Sequence, residues 1–175
     1  LLLLRRALLK RVSDIRPRVF VGVDAPDFNL GVEAKLKAAG IRTVHFVSPS
    51  IWAWRPERIH KIRAAVDHML LVFPFEEEIY KRENVPATYI GHPLAGVIPM
   101  VPDTEGARRK LGIETNGEPV FAVLPGSRRD EIFGCGPVFF EACELVIERI
   151  GAGHFVVPAI DAQAREWIAS VATRN

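Results

Sequence analysis

The 175 residues carry 23 Lys and Arg side chains against 21 Asp and Glu, and this net charge of +2 excludes a simple polybasic nucleic-acid binder. Residues 1–63 hold 13 basic and 5 acidic side chains (+8), whereas residues 64–175 hold 10 and 16 (−6), so the first part is suited to anionic partners. No apolar run reaches the roughly 20 residues of a transmembrane helix, and two cysteines without metal-type spacing, Cys135 and Cys143, indicate a reducing compartment.

The first part of the chain alternates between helical and strand patterns, as parallel α/β sheets do. Helices are predicted over residues 2–15, 30–39, 56–65 and 75–82, and strands over residues 19–23, 43–47, 68–72 and 88–90. The continuous apolar run at residues 19–23 is typical of a strand buried on both faces. The chain does not begin with Met and its first residues already fit the middle of a helix, so we expect a piece of a longer protein.

Residues 94–102 contain two prolines and no periodic pattern, and they are predicted to link two domains, residues 1–97 and 98–175. The second domain is predicted to contain helices over residues 104–111, 137–150 and 162–172. Its predicted strands cover residues 120–124 and 154–157. Two parallel strands cannot bury both faces of a sheet, so we expect this domain to be incomplete.

Asp24 directly follows the first predicted strand, at the position where open α/β sheets bind their ligands. A carboxylate there can accept a proton from a substrate hydroxyl and act as a general base. Alternatively, Asp24 or Asp27 caps the following helix or shapes the turn that ends at Asn29. Because there are two aspartates, one can serve each role.

The loop of residues 48–55 is a second candidate. Trp52 and Trp54 offer flat apolar area beside Ser48, Ser50 and Arg55, and this combination suits the binding of a sugar ring or an acyl chain. The alternative is that both tryptophans pack beneath the loop as core, and their spacing does not decide between the two interpretations.

The turn at residues 125–131 is a third candidate, between a predicted strand and a helix. Its backbone N–H groups and the helix N-terminus favour anions, and Arg128 can hold phosphate oxygens bidentately, so Gly126, Ser127 and Arg128 predict a phosphate cradle. The motif is neither a Walker A loop nor the Gly-x-Gly-x-x-Gly of dinucleotide binding. The alternative is an ordinary turn with exposed arginines.

Other polar side chains give weaker signals. His92, at the end of the fourth strand, can reach the same edge of the sheet, whereas His45 is expected to pack in the core. No two histidines have the i, i+4 spacing of metal ligands. The acidic residues 76–78 are interpreted as the solvated first turn of a helix. The basic first helix fits either an anionic membrane surface or ordinary packing on the sheet.

Five motifs together resemble the lipid-A-disaccharide synthase family in their order and spacing. They are GVDAPDFN at residues 22–29, VSPSIWAWR at 47–55, FPFE at 73–76, YIGHP at 89–93 and LPGSR at 124–128. The resemblance covers the chain from its first helix to about residue 160. It implies an α/β fold of the GT-B type, with two Rossmann-like parallel-sheet domains, here truncated at both ends. The family's additional first strand and its later uridine-binding segment lie outside this sequence.

The resemblance also implies an inverting glycosyltransferase that uses no metal or cofactor. It would join UDP-2,3-diacylglucosamine to 2,3-diacylglucosamine 1-phosphate, in a cleft between its domains, and release UDP. Asp24 would deprotonate the 6-hydroxyl of the acceptor. The diphosphate would be held by Gly126, Ser127, Arg128 and Glu131, and the acceptor side would be shaped by Asp27, Asn29, Ser48, Ser50, Trp52, Trp54, Arg55 and His92.

The expected setting is the cytoplasm of a Gram-negative bacterium, with the protein peripheral on the inner face of the inner membrane and with no nucleic-acid partner; a homo-oligomer is left open. Two other functions fit the same residues. A UDP-sugar epimerase would need further acidic and histidine residues from beyond this sequence. A non-catalytic lipid- or membrane-binding module would need only the basic helix and the tryptophan loop. Since half of the donor pocket is expected to lie elsewhere, the 175 residues alone are expected to be inactive.

Overall fold

The computed structural model describes residues 2–114 and 117–173. The chain divides into two compact units, Leu1–Val101 and Pro102–Asn175, and the predicted domain boundary after residue 97 lies inside the first of them. Within each unit, helices and strands alternate in the predicted order. The observed elements differ from the predicted ones mainly at their ends.

The first unit is built on a four-stranded parallel sheet whose strands lie in chain order. Its strands are β1 (Val19–Val23), β2 (Arg42–Phe46), β3 (His68–Leu71) and β4 (Ala87–Tyr89). Helix α1 (Leu2–Ile15) precedes the sheet, and the successive strands are connected by α2 (Pro26–Ala38), α3 (Arg58–Ala65) and α4 (Glu76–Arg82). A single 3₁₀ turn, Pro93–Gly96, follows β4.

One face of this sheet forms the core of the first unit. The register pairs Gly22 of β1 with His45 of β2, and His45 with Met69 of β3, so these three residues point to the same face. Met69 and Leu71 are fully buried in one cluster with Ile62 of α3. His45 is also fully buried, which confirms that it packs in the core.

The opposite face of β1 is open within the described part of the chain. Val19, Val21 and Val23 are 43%, 49% and 57% exposed, so the prediction of a strand buried on both faces is wrong for these residues. The reason is topological: parallel strands joined in chain order by right-handed connections place all of their connecting helices on one face.

Helix α2 begins four residues before its predicted start at residue 30. Pro26 lies in its first turn, where the fixed φ and the missing N–H of proline favour a helix start. Asp27 adds a negative charge to the same turn, which suits the positive end of the helix dipole. The prediction started the helix at Leu30 and missed this turn, although Phe28 already packs against the cluster that contains Val32 and Leu36.

Helix α1 packs against α2 with its apolar side. Leu8, Leu9 and Val12 contact the buried cluster that contains Val32 and Leu36, so the packing interpretation of the basic helix holds for this stretch. The leucines of its first turn, residues 2–4, are mostly exposed. In residues 2–114 and 117–173, no helix is both long enough and apolar enough to cross a membrane.

Within residues 102–114 and 117–173, the second unit contains a parallel pair of strands and three helices. They are α5 (Thr104–Leu111), β5 (Val120–Ala122), α6 (Arg129–Ile150), β6 (His154–Val156) and α7 (Ala162–Ala172). The prediction that α6 begins at residue 137 is wrong, because the helix begins at Arg129 and contains Pro137.

Packing on α7 explains how α6 continues through its internal proline, which normally costs about 3 kcal/mol. Ile132 is fully buried in the cluster that α6 and α7 share. Gly136 lies so close to α7 that an added Cβ would sit 3.1 Å from the Val171 Cγ1 atom. Helix α6 therefore begins at Arg129, before Pro137, because the residues of this first part pack against α7.

Candidate active site

The loops that follow β1 to β4 lie side by side along the carboxyl edge of the first sheet. The backbone N–H of Asp24 donates to Phe46 O at 2.9 Å, and that of Val47 donates to Leu70 O at 3.1 Å. The N–H of Ile90 donates to Leu71 O at 3.0 Å. These bonds continue the strand pairing past the strand ends, so the predicted residues of the first unit are brought to one edge.

Asp24 lies in a tight, strained turn with its carboxylate exposed. Asp24 and the next residue, Ala25, have φ of 49° and 43°, in the left-handed region that is costly for side chains other than glycine. The Asn29 side-chain amide donates to Val23 O at 3.0 Å and to Asp24 O at 2.7 Å, which holds the turn closed. No hydrogen bond or ion pair engages the Asp24 carboxylate within the described residues, so it is free to accept a proton.

Neither aspartate caps helix α2. The N-cap residue is Ala25, and no side chain bonds to the helix N-terminus there. Asp27 instead accepts a hydrogen bond from Arg58 of α3 at 2.5 Å, with its side chain still 86% exposed. The capping interpretation is therefore wrong for both residues. The alternative that Asp24 shapes the turn agrees with its left-handed backbone, and the Asn29 amide holds that turn closed through backbone carbonyls.

Trp52 and Trp54 are surface residues. Their side chains are 50% and 54% exposed, so the interpretation that they pack as core beneath the loop is wrong. The Trp52 ring meets Phe75 edge to face at 5.2 Å, and the Arg55 guanidinium lies 4.2 Å from the centre of the Trp54 ring. The Arg58 guanidinium also lies over the Trp54 ring, 5.5 Å from its centre. The result is an exposed aromatic surface with cationic groups at its side.

Buried polar side chains hold this loop from below. The Ser48 hydroxyl lies 2.8 Å from the Tyr80 hydroxyl, and Ser48 also donates to Pro49 O at 3.0 Å. Burial raises the pKa of Tyr80 to about 12, so its hydroxyl stays protonated and hydrogen-bonded. Ser48 is thus occupied beneath the loop, whereas Ser50 is exposed on its surface.

Glu76 is a second buried anchor, although it was predicted to lie in a solvated helical turn. It is only 1% exposed, and its carboxylate accepts a hydrogen bond from Phe73 N at 3.3 Å. Burial raises the pKa of this carboxyl above its ordinary value. The solvated interpretation is wrong for Glu76 and correct for Glu77 and Glu78, which are exposed.

His92 extends the aromatic surface beyond β4. Its ring lies 6.0 Å from the Phe73 ring, and Phe73 stacks on Phe75 at 5.6 Å. Its Nδ1 atom accepts a hydrogen bond from Leu94 N at 3.1 Å, which leaves Nε2 on the exposed side of the ring. His92, Phe73, Phe75 and Trp52 therefore form one surface, called the aromatic edge below.

The predicted phosphate loop of the second unit is closed by Glu131. Gly126 has φ of 119°, and a Cβ at this position would lie 2.5 Å from Glu131 Cβ. The N–H groups of Ser127 and Arg128 both donate to Glu131 Oε2, at 2.9 and 3.1 Å. Arg128 Nη1 donates to Glu131 Oε1 at 2.6 Å. The hydrogen bonds from the two backbone N–H groups are the main reason that the pKa of Glu131 lies below its ordinary value, and the bond from the Arg128 side chain adds to this effect.

Both of these N–H groups are engaged by Glu131, and the phosphate cradle stays a prediction. They already donate to a carboxylate, as in a helix capping box. The Arg128 guanidinium is 81% exposed, so it can reach a phosphate even though it is paired with Glu131. Glu131 orients that arginine and closes the turn.

Two residues that the sequence analysis did not single out shape the first site. Arg58 is the first residue of α3 and joins Asp27 to Trp54, which lies in the turn before that helix, so helical spacing gave no signal for this contact. Nothing in the sequence pointed to Tyr80, because a tyrosine in a short amphipathic helix fits many roles. In the part of the chain that the structure describes, no group of three His, Cys, Asp or Glu side chains could hold a metal ion.

Comparison with known proteins places this geometry in context. The family model described as lipid-A-disaccharide synthetase matches residues 1–175. A lipid-A-disaccharide synthase of Bordetella avium is 61% identical over 156 residues, which are 89% of this chain and 39% of that protein. Those of Bordetella pertussis and Paraburkholderia phymatum are each 55% identical, over 91% and 94% of this chain and 40% and 42% of their own lengths. The chain thus spans about 40% of the length of the curated relatives it matches.

Proposed function

This chain belongs to the lipid-A-disaccharide synthetase family, and from that premise we propose that the full-length protein is an inverting glycosyltransferase of the GT-B fold. It joins UDP-2,3-diacylglucosamine to 2,3-diacylglucosamine 1-phosphate and releases UDP. The observation that supports this most directly is the exposed position of Asp24 at a strand end, on the same edge of the sheet as the aromatic edge. The two parallel α/β units agree with the expected fold.

Asp24 is the general base in this proposal. Its carboxylate takes the proton of the acceptor 6-hydroxyl while that oxygen forms a bond to the anomeric carbon of the donor sugar. The bond from that carbon to the diphosphate oxygen breaks, and its electron pair leaves with UDP. Attack from the face opposite the leaving group inverts the anomeric carbon and gives a β-1,6 linkage. No metal ion is needed for these steps.

Arg128 is proposed to stabilise the negative charge that develops on the leaving diphosphate. A guanidinium can hold two phosphate oxygens at once, and the contact strengthens as the charge grows in the transition state. Glu131 fixes the orientation of Arg128 through the bond at 2.6 Å. Gly126 and Ser127 form the turn that presents this arginine.

The aromatic edge is proposed to receive the acylated acceptor sugar. Trp52 and Phe75 offer exposed aromatic area, and Ser50 and His92 offer hydrogen-bonding groups beside it. Arg55 supplies positive charge for the phosphate of the acceptor, whereas Arg58 is mostly buried and already paired with Asp27. The +8 charge of residues 1–63 suits an anionic membrane surface, and we place the protein at the cytoplasmic face of the inner membrane.

The proposal is tested with the full-length protein, purified and supplied with both lipid precursors. We expect one UDP for each disaccharide phosphate formed, and no UDP in the absence of the acceptor. Release of UDP without acceptor lipid would indicate the epimerase alternative. Binding to anionic liposomes without any affinity for UDP would indicate the binding-module alternative.

A further inference from the structure

A buried pair of polar side chains lies directly beneath the Asp24 turn. Glu33 of α2 and His45 of β2 are both completely inaccessible to solvent, and His45 Nδ1 lies 2.8 Å from Glu33 Oε1. The pair is packed on Gly22 of β1, where an added Cβ would lie 1.9 Å from Glu33 Oε1. Position 22 of β1 therefore has to be glycine, because any side chain there would collide with the Glu33 carboxylate.

Stability does not explain this pair. Glu33 Oε2 and His45 Nε2 are buried and make no hydrogen bond within residues 2–114 and 117–173. A buried polar group that is only partly hydrogen-bonded costs free energy, and apolar side chains of similar size in its place are often neutral or stabilising. A role in fixing geometry accounts better for a polar contact at this position.

The pair joins the same two elements that hold Asp24. The N–H of Asp24 donates to Phe46 O, and Phe46 follows His45 in β2. The carbonyl of Asp24 accepts from Asn29, which lies one helical turn before Glu33 on the same side of α2. A displacement of α2 along β2 would therefore move both backbone anchors of Asp24 relative to each other.

We propose that Glu33 and His45 are positioning residues for Asp24: their buried bond sets the register of α2 against β2 and thereby the placement of the catalytic carboxylate. This inference rests on the proposed function, in which Asp24 is the general base. A shift of about 1 Å in a catalytic group can reduce the rate by about 100-fold, even when the substitution lies away from the chemistry.

The test replaces the bond with apolar side chains of similar volume in the full-length protein. The double variant Glu33→Met/His45→Phe should keep or raise the midpoint of thermal unfolding, because it removes the unsatisfied atoms. Its kcat should fall by about 10- to 100-fold, while KM for both substrates stays within about threefold. The single variant Glu33→Gln can still form a hydrogen bond with His45, so its kcat should stay close to that of the wild type.

Thr43→Val is the matched control. Thr43 lies two residues before His45 on the same buried face of β2, and its hydroxyl donates to Ala65 O at 2.9 Å, away from Asp24. This variant should lower the unfolding midpoint and leave kcat within about twofold. A fall in kcat as large as that of the double variant would show that any loss of core polarity in β2 slows the enzyme, and the inference would be wrong.

A double-mutant cycle with Asp24→Asn separates this inference from the proposed function. If the pair acts through Asp24, the Glu33→Met/His45→Phe substitutions should have no further effect on kcat once Asp24 is Asn. A wild-type protein without transferase activity, or an Asp24→Asn variant with normal turnover, would contradict the proposed function. Normal kcat in a folded double variant, with Asp24→Asn inactive, would overturn the inference alone. If the double variant does not fold, the same comparison is made with Glu33→Asp, whose side chain is one methylene shorter. A reduced kcat in this variant would support the inference, and a normal kcat would overturn it.

Discussion

The two candidate binding regions of this molecule are held in place by different kinds of contact. At the edge of the first sheet, Asp24 and the tryptophan loop depend on residues far away in the sequence, such as Phe46 for Asp24 and Tyr80 for Ser48. In the second unit, Arg128 is held by Glu131, three residues along the chain. The first region therefore exists only when the sheet has formed, whereas the second is set by a single helix start.

The largest effect is expected when the proposed catalytic carboxylate of the first region, Asp24, is removed. Asp24→Asn in the full-length protein should lower kcat by about 100- to 10,000-fold, because an amide cannot accept the hydroxyl proton. Asparagine tolerates the left-handed backbone of this position, so the turn should be retained. The rate of disaccharide formation at saturating substrate measures the effect. Asp14→Asn, an exposed position on α1, is the control, and normal turnover of Asp24→Asn would exclude Asp24 as the base.

The next effect tests the second region. Arg128→Ala should weaken UDP binding by about 10- to 100-fold, because a hydrogen bond between charged groups contributes about 1.5–3 kcal/mol. Titration calorimetry of the full-length protein with UDP measures this change. Arg129→Ala, the neighbouring residue whose guanidinium lies over the Phe133 ring, should bind UDP normally. Equal losses in both variants would mean that general positive charge, and not Arg128, attracts the nucleotide.

A smaller effect tests whether the aromatic edge handles the acceptor. Trp52→Ala should raise the KM for the acceptor lipid by about 10- to 30-fold, since about half of a tryptophan surface is available for burial. The KM for the UDP-sugar should stay near its wild-type value. Phe139→Ala removes an exposed aromatic of α6 in the second unit and serves as the control. An unchanged acceptor KM in Trp52→Ala would assign the acceptor to another surface.

The smallest expected effect concerns stability and tests how local the second region is. Folding lowers the pKa of Glu131, which means that the ionised carboxylate stabilises the folded state. This contribution is fully present at pH values above the ordinary pKa of a glutamate. It is lost as the pH falls through the lowered pKa of the folded protein. Glu131→Gln should therefore unfold at a slightly lower temperature than the wild type at pH 7. The gap should narrow as the pH falls below the ordinary pKa of a glutamate. Glu141→Gln, an exposed position in the same helix, should show no such pH-dependent gap.

The sequence predicted the elements whose signals are local. Apolar runs and helical spacing were sufficient for the order of helices and strands, and Asp24 was placed at a strand end because it follows such a run. The five motifs led to the family, which the comparisons support. The starts of α2 and α6 were predicted too late, because α2 opens with proline and aspartate and α6 opens with three charged residues.

Only the tertiary structure decided which side chains are buried. Glu76 belongs to an acidic run that looks solvated, yet it is enclosed beneath the aromatic edge, and two tryptophans that could have been core are exposed. The pairing of Glu33 with His45 depends on Gly22 of a third element, which no pattern along the chain can reveal. Local chemistry thus determined what each segment can form, and the packing of sheet on helix determined which polar groups hold the site and which remain free to act.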